Sequence, residues 1–361
     1  MGHLNWCREL KATALRRQVN FFCDGGHSLS CSEAIPFSLR RSRSVQASRK
    51  DTVMGTNTST IVSAIDQAAH LATSKIQFNK ILVATDFSPP ANQALKVAIS
   101  LCQLFDGRLS LVHASVLSAY GSEAGPLPIE VLNADLAADT DQMNQLVLSE
   151  PGLSALMPRV VVAYSEAVAL IDRVAKEDQA DLIVVGSHGA SGLERLVLGS
   201  VAEAVMHRAT CPVLIVGPNC KPGQHPFRSI LFASDLKTTG LRGAQYATGL
   251  ARQFHARLSL LHVINQRFES RDKYELNRER MRQELARLLP ADIEQYCTAQ
   301  IFLEDGKPAE TITAVARREC ASIIVVGLRD EPFADHAAWS TLSYVIRDAH
   351  CPVLGVRGHL L

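Results

Sequence analysis

Four glycine and serine residues at fixed spacing follow a short apolar run and could hold a phosphate group. Gly186 directly follows the run that ends at Val185, Gly189 comes three positions later, and nine residues separate Gly189 from the pair Gly199-Ser200. Glycine lets the backbone approach a ligand closely and turn its N–H groups inward. A helix that begins near Ser200 would add unpaired N–H groups and the positive end of its dipole. The spacing therefore predicts an anion cradle.

A carboxylate, Asp86, follows a second apolar run. In open α/β sheets, ligands bind beyond the carboxyl ends of the strands, near the point where the strand order reverses. A carboxylate there can accept hydrogen bonds from ribose hydroxyls while the neighbouring apolar backbone holds a base. Asp86 could equally cap the helix that follows, and Ser200 with Glu203 could form a capping box that competes with phosphate binding.

The elements that would position these residues occur twice, because the chain contains an internal duplication. Four pairs of segments match, at offsets of 149, 149, 141 and 140: 80–86 with 229–235, 108–113 with 257–262, 180–186 with 321–327, and 211–214 with 351–354. The linker 217–226 separates the two copies.

Each copy alternates strands and helices. Short Val, Ile and Leu runs between turn residues are typical of strands buried on both faces of a parallel sheet. Ser88 is expected to cap a helix whose first turn accepts Pro89 or Pro90. Right-handed crossovers then predict an α/β fold with two tandem, open, doubly wound parallel five-stranded sheets and helices on both faces.

The spacing Gly186-x2-Gly189-x9-Gly199-Ser200 resembles the nucleotide-binding signature of the universal stress protein family. The resemblance covers about Phe78 to Arg357 and implies a strand order of 3-2-1-4-5 in each domain. It implies ATP as the ligand, free or with Mg²⁺, and pairing of the final strands within one chain as an internal pseudo-dimer. The residues that the resemblance assigns are Ala84 and Ala114 to adenine, Asp86 to ribose, and Val185, Gly186, Gly189, Gly199, Ser200 and Val201 to the phosphate loop and helix start.

The expected domain boundaries follow from the duplication and the charge distribution. Residues 1–77 form a leader and N-terminal extension, 78–217 form domain 1 and 227–357 form domain 2. The first 53 residues carry nine basic and four acidic residues, and 28–50 are rich in Ser and Arg, which predicts disorder. Two interpretations of this segment are open: an organelle transit peptide, or a stretch upstream of a translation start at Met54. We favour the second interpretation.

Domain 2 departs from the phosphate-binding pattern. Gly327-Leu-Arg-Asp330 keeps the spacing to Ser340-Thr341 but replaces two glycines, one of them by an acid. Like charges about 4 Å apart cost on the order of 1 to 4 kcal/mol, so domain 2 should bind ATP poorly. Arg329 could pair with Asp330, and Asp235 matches Asp86, which leaves adenosine or another small ligand open.

Composition excludes several other classes of protein. The net charge of +1 gives no overall attraction to nucleic acid or a membrane surface, and no apolar stretch approaches the roughly 20 residues of a membrane-spanning helix. Nine cysteines without a CxxC pair favour a reducing cytoplasm and predict no metal site. His188 could approach a phosphate, but no base or nucleophile has a positioned partner, so no catalytic residue is predicted.

The sequence therefore predicts an ATP-binding regulatory protein of the stress response, in which domain 1 holds the nucleotide and domain 2 is its pseudo-dimer partner. A nucleotide-independent interaction scaffold and a slow ATP-hydrolysing enzyme are the alternatives, and a homodimer stays open. His113 and His262 are expected to be structural. In the charged helix around 272–287, Leu276, Leu285 and the adjacent Leu288 are expected to face inward.

Overall fold

The computed structural model describes residues 75–115, 129–189, 198–221, 225–237, 240–266, 268–328 and 336–358. The predicted leader, residues 1–53, lies outside the described residues, as do loop residues 190–197 and 329–335.

Strands and helices alternate along both halves of the chain. The first half contains β1 Lys80–Ala84, α1 Pro89–Phe105, β2 Arg108–Ser115, α2 Ile129–Ser149, β3 Arg159–Tyr164, α3 Ala167–Asp178, β4 Leu182–Gly186, α4 Ser200–Arg208 and β5 Val213–Val216. The second half contains β6 Ser229–Ala233, α5 Leu241–Phe254, β7 Arg257–Ile264, α6 Arg271–Arg287, β8 Ala299–Asp305, α7 Pro308–Arg318, β9 Ile323–Leu328, α8 His336–Asp348 and β10 Val353–Arg357.

The ten strands form one sheet in the order β3-β2-β1-β4-β5-β10-β9-β6-β7-β8. Each half has the predicted order 3-2-1-4-5 and is parallel throughout its described pairings. The two predicted sheets are joined, because β5 and β10 pair antiparallel, with Leu214 opposite Leu354. These leucines occupy the same position of the repeat, so a pseudo-twofold axis passes through this pair. The expectation that the final strands pair within the chain is confirmed.

Apolar side chains of the sheet alternate between two cores. In β1, Ile81 and Val83 lie in one core with residues of α1, α2, α5 and α6, whereas Leu82 lies in the other with residues of α3, α4, α7 and α8. Because successive residues of a strand point to opposite faces, this division places helices on both faces of the sheet, as predicted. None of the helices among the described residues is long and apolar enough to cross a bilayer.

Local helix signals were mostly predictive. The Ser88 hydroxyl caps α1 by accepting from the Ala91 amide at 3.4 Å, and Pro89 opens the helix. The expectation for α6 was wrong in part: Leu285 is buried, but Leu276 is 72% exposed. The two leucines are nine positions apart, which is two and a half helical turns, so they lie on opposite sides of the helix.

Two glycines let the halves pack closely together on the face of the sheet that carries α4 and α8. A Cβ atom on Gly217, just after β5, would lie 2.2 Å from the carbonyl oxygen of Ile346 in α8. A Cβ atom on Gly355 in β10 would lie 2.4 Å from the sulfur of Met206 in α4. Each half therefore packs the end of one helix directly onto the last strand of the other half.

We expect Gly217→Ala to lower the free energy of unfolding by about 1–3 kcal/mol, because backbone atoms must move to admit the methyl group. Gly240→Ala is the matched control, since the atoms nearest its Cβ position lie 3.6–4.0 Å away and its φ is −76°. Urea unfolding followed by circular dichroism measures both variants. Equal unfolding midpoints for the two would contradict this view of the packing.

Candidate functional site

The predicted site lies where the strand order of domain 1 reverses. β1 has β2 on one side and β4 on the other, so the chain leaves the carboxyl ends of β1 and β4 in opposite directions. Ala84 ends β1 and Gly186 ends β4. Ala114 is on β2, two residues beyond Val112, which pairs with Ala84. These residues therefore line neighbouring strand ends.

A tight turn fixes the carboxylate of Asp86. Its Oδ1 accepts hydrogen bonds from the amide of Ser88 at 3.1 Å and from the Ser88 hydroxyl at 2.5 Å. Phe87 has a φ of +62°, which is unusual for a residue other than glycine, and its amide donates to the Thr85 hydroxyl at 3.0 Å. The bonds from Ser88 hold the turn before α1 and fix the orientation of the Asp86 carboxylate, including its second oxygen, Oδ2.

The second oxygen of Asp86 faces the glycine loop. A Cβ atom on Gly189 would lie 2.7 Å from Asp86 Oδ2, a distance that real Cβ atoms do not adopt. A larger residue at 189 would displace the carboxylate. The structure thus brings Asp86 and Gly189 together, although 103 positions separate them in the sequence.

The turn after the first strand is duplicated in domain 2. The Leu236 amide donates to the Ser234 hydroxyl at 3.1 Å, and Leu236 has a φ of +59°. In each domain a histidine holds the turn: Nδ1 of His113 donates to the Thr85 carbonyl, and Nδ1 of His262 donates to that of Ser234, both at 2.8 Å. Sequence reasoning missed the hydroxyl residue, although Thr-Asp and Ser-Asp recur at the offset of 149.

Gly186 has a packing role. A Cβ atom there would lie 2.9 Å from the carbonyl carbon of Pro90, so glycine lets the start of α1 approach the end of β4. Val185, the residue before it, is 3% exposed, which leaves mainly its backbone available to a ligand.

Short backbone hydrogen bonds close the base of the glycine loop. The Gly199 amide donates to the Ser187 carbonyl at 2.8 Å, and the Ser187 amide donates to that of Val216 at 3.0 Å. The hydroxyl of Ser187 and Nδ1 of His188 lie 2.8 Å apart. Among the described residues, Nε2 of His188 is buried without a hydrogen-bond partner.

Helix α4 begins at Ser200, and Gly199 occupies the position before it. The predicted capping box of Ser200 and Glu203 is therefore wrong, because Ser200 lies one residue too far along the helix to cap it. Glycine at the cap position supplies no side-chain acceptor. The first amides of an α-helix have no partner within the helix, and those of Ser200 and Val201 are among them.

Domain 2 differs at the corresponding helix. Ser340 and Thr341 match Gly199 and Ser200 in the spacing of the motif, but α8 begins at His336, five residues before Thr341. The amides of Ser340 and Thr341 therefore lie in the second turn, where the helix pattern directs them to the carbonyls four residues back. Asp330, predicted to weaken phosphate binding, and Arg329, which could pair with it, lie outside the described residues.

Comparisons with known proteins agree with the duplication. The model described as "Universal stress protein family" matches residues 77–217 and 226–357. Universal stress protein YxiE of Bacillus subtilis (strain 168) is 32% identical over 146 residues, covering 38% of this chain and 99% of the relative. Universal stress protein A homolog 2 of Coxiella burnetii (strain RSA 493 / Nine Mile phase I) is 37% identical over 142 residues, covering 38% and 94%.

A longer structural match spans both halves. The crystal structure of a universal stress protein from Archaeoglobus fulgidus DSM 4304 has a TM-score of 0.58 with 18% sequence identity, covering 78% of this chain and 97% of that one. At this identity the likeness concerns the fold alone.

Proposed function

This chain belongs to the universal stress protein family, and on that premise we propose that domain 1 binds ATP and acts in the stress response through nucleotide occupancy. Domain 2 serves as its internal pseudo-dimer partner. The observation that carries the proposal is the start of α4, where a helix without a side-chain cap begins beside the glycine loop at the point of strand reversal.

The phosphates are assigned to the start of α4. Helix N-termini attract anions because their first amides are unpaired and the helix dipole is positive there. In this arrangement the backbone of Gly186, Gly189 and Gly199 surrounds the phosphate tail, with the amides of Ser200 and Val201 as donors. Gly189 also leaves room beside the Asp86 carboxylate, since a side chain there would occupy the same space.

The nucleoside is assigned to the ends of β1 and β2. Oδ1 of Asp86 is engaged by Ser88, and Oδ2 faces the loop, where it would accept from the ribose hydroxyls. Ala84 and Ala114, both half-buried, would contact the adenine, and Val185 would do so only through its backbone. A small residue at each alanine position leaves space for a flat base.

The position of the helix start argues against triphosphate binding in domain 2. Because α8 starts a turn earlier than α4, the amides that correspond to Ser200 and Val201 are engaged within the helix. The turn around Asp235 matches that of Asp86, so domain 2 keeps the nucleoside half of the pattern without the phosphate half.

Gly189→Asp should abolish ATP binding by domain 1, because the new carboxylate would meet both Asp86 and the phosphate tail. Gly189→Asn has nearly the same volume without the charge and should weaken binding less. Calorimetric titration with ATP compares the three proteins, and circular dichroism checks that each is folded. Wild-type affinity in folded Gly189→Asp would count against the assigned cradle.

Asp86→Asn separates the turn-holding role of this residue from ribose binding. Asparagine keeps an Oδ1 acceptor for the amide and hydroxyl of Ser88, the cap of α1, so the unfolding midpoint should change little. ATP affinity should fall about tenfold, because hydrogen bonds to a charged group contribute about 1.5–3 kcal/mol and a neutral amide contributes less. Asp235→Asn in domain 2 is the control, for which we expect unchanged ATP affinity. Equal affinity of Asp86→Asn and wild type would leave Asp86 only its role in holding Ser88 in the turn.

A further inference from the structure

Arg357 of domain 2 reaches into domain 1. It ends β10 and is 8% exposed. Its Nη2 donates to the carbonyl oxygen of Met206 at 2.8 Å and to that of His207 at 2.7 Å. Both carbonyls belong to the last turn of α4, the helix whose first turn is assigned to the phosphates.

This contact suits the end of a helix. The last four carbonyls of an α-helix have no partner within it, and a cation there interacts favourably with the helix dipole. Hydrogen bonds from a charged donor are roughly twice as strong as neutral ones, and burial strengthens them further. Arg357 therefore fixes the position of the end of α4 relative to β10.

Two other residues of domain 2 hold the same turn. The ring of Trp339 lies against that of His207, with centroids 4.2 Å apart. Gly355 leaves the space that Met206 fills. Burial lowers the pKa of His207 below its ordinary value, and the charge of Arg357 lowers it further against the opposing effect of Glu203.

The reverse contact lacks the arginine. At the repeat offset of 140, Arg357 corresponds to Gly217 and Met206 to Ile346. Gly217 packs against the carbonyl of Ile346 without a side chain. The buried guanidinium thus acts on α4 and not, through this pair of positions, on α8. This asymmetry parallels the one at the helix starts, because both the arginine contact and the start beside the glycine loop belong to α4.

We propose that Arg357 is a positioning residue for the nucleotide site, through which domain 2 sets the affinity of domain 1 for the triphosphate. This inference rests on the proposed function. Helix α4 has nine residues and is about 13 Å long, so a shift at its last turn moves Ser200 as part of the same rigid rod. The coupling is reciprocal: a bound triphosphate strengthens the docking of α4 on domain 2.

The test measures ATP and adenosine affinities by calorimetry on the full chain. Arg357→Met keeps an apolar stem but loses both hydrogen bonds, and it should weaken ATP binding about fivefold or more. Adenosine affinity should stay unchanged, because adenosine has no phosphate to contact α4. Arg317→Met is the control: Arg317 donates to the carbonyl of Asp348 at the end of α8 at 2.8 Å, so its loss removes an arginine–carbonyl bond from the other helix.

The outcomes separate the two proposals. Failure of the wild type to bind ATP overturns the proposed function. Normal ATP binding by folded Arg357→Met, or equal losses of ATP and adenosine affinity, overturns the positioning role alone. Should Arg357→Met not fold, Arg357→Lys is the deciding variant, because lysine keeps the positive charge but has a shorter reach and only one ammonium group. It should bind ATP more weakly than the wild type and adenosine equally well. Wild-type ATP affinity of Arg357→Lys would overturn the positioning role.

Discussion

The antiparallel pairing of β5 with β10 is the contact on which the rest of the molecule depends. An unpaired strand edge offers its N–H and C=O groups to any other chain, and each half of this protein would expose such an edge alone. Pairing Leu214 with Leu354 covers both edges with the same segment of the repeat. The register of this pair also decides which helix end of one half meets which strand of the other.

The strand order and the turns follow the pseudo-twofold symmetry, and one helix start and one buried side chain break it. Strand order, the turns after β1 and β6 and the histidines that hold them are the same in both halves. The start of α4 differs from that of α8, and Arg357 stands where the first half has Gly217. Both differences concern the helix assigned to the phosphates. A duplicated fold can in this way keep one half for a ligand and use the other to position it.

The fold was largely predictable from the sequence because the duplication showed four of the five strands twice. Buried apolar runs indicated parallel strands, and the Ser88-Pro89 pair indicated where α1 begins. The interior of α6 was harder, since a helix with few apolar residues does not reveal its buried face, and Leu276 proved exposed. That the two sheets form one came from the family resemblance, because strand composition alone does not name a partner.

The site was predictable in its residues but not in its geometry. Spacing identified Gly189 and Asp86 separately, while their contact depends on the strand order. Spacing also could not show that Gly199 takes the cap position and leaves Ser200 in the first turn, because helix ends shift by a residue without changing the pattern. Arg357 was missed since its partners are backbone carbonyls, which carry no sequence signal.

Asymmetric occupancy is the central claim, and a crystal structure of the full chain grown with excess ATP tests it most directly. We expect one nucleotide per chain, with its phosphates at the amides of Ser200 and Val201, its ribose at Asp86, and no triphosphate at the start of α8. An empty crevice in domain 1, or phosphates bound equally at both helices, would contradict the account.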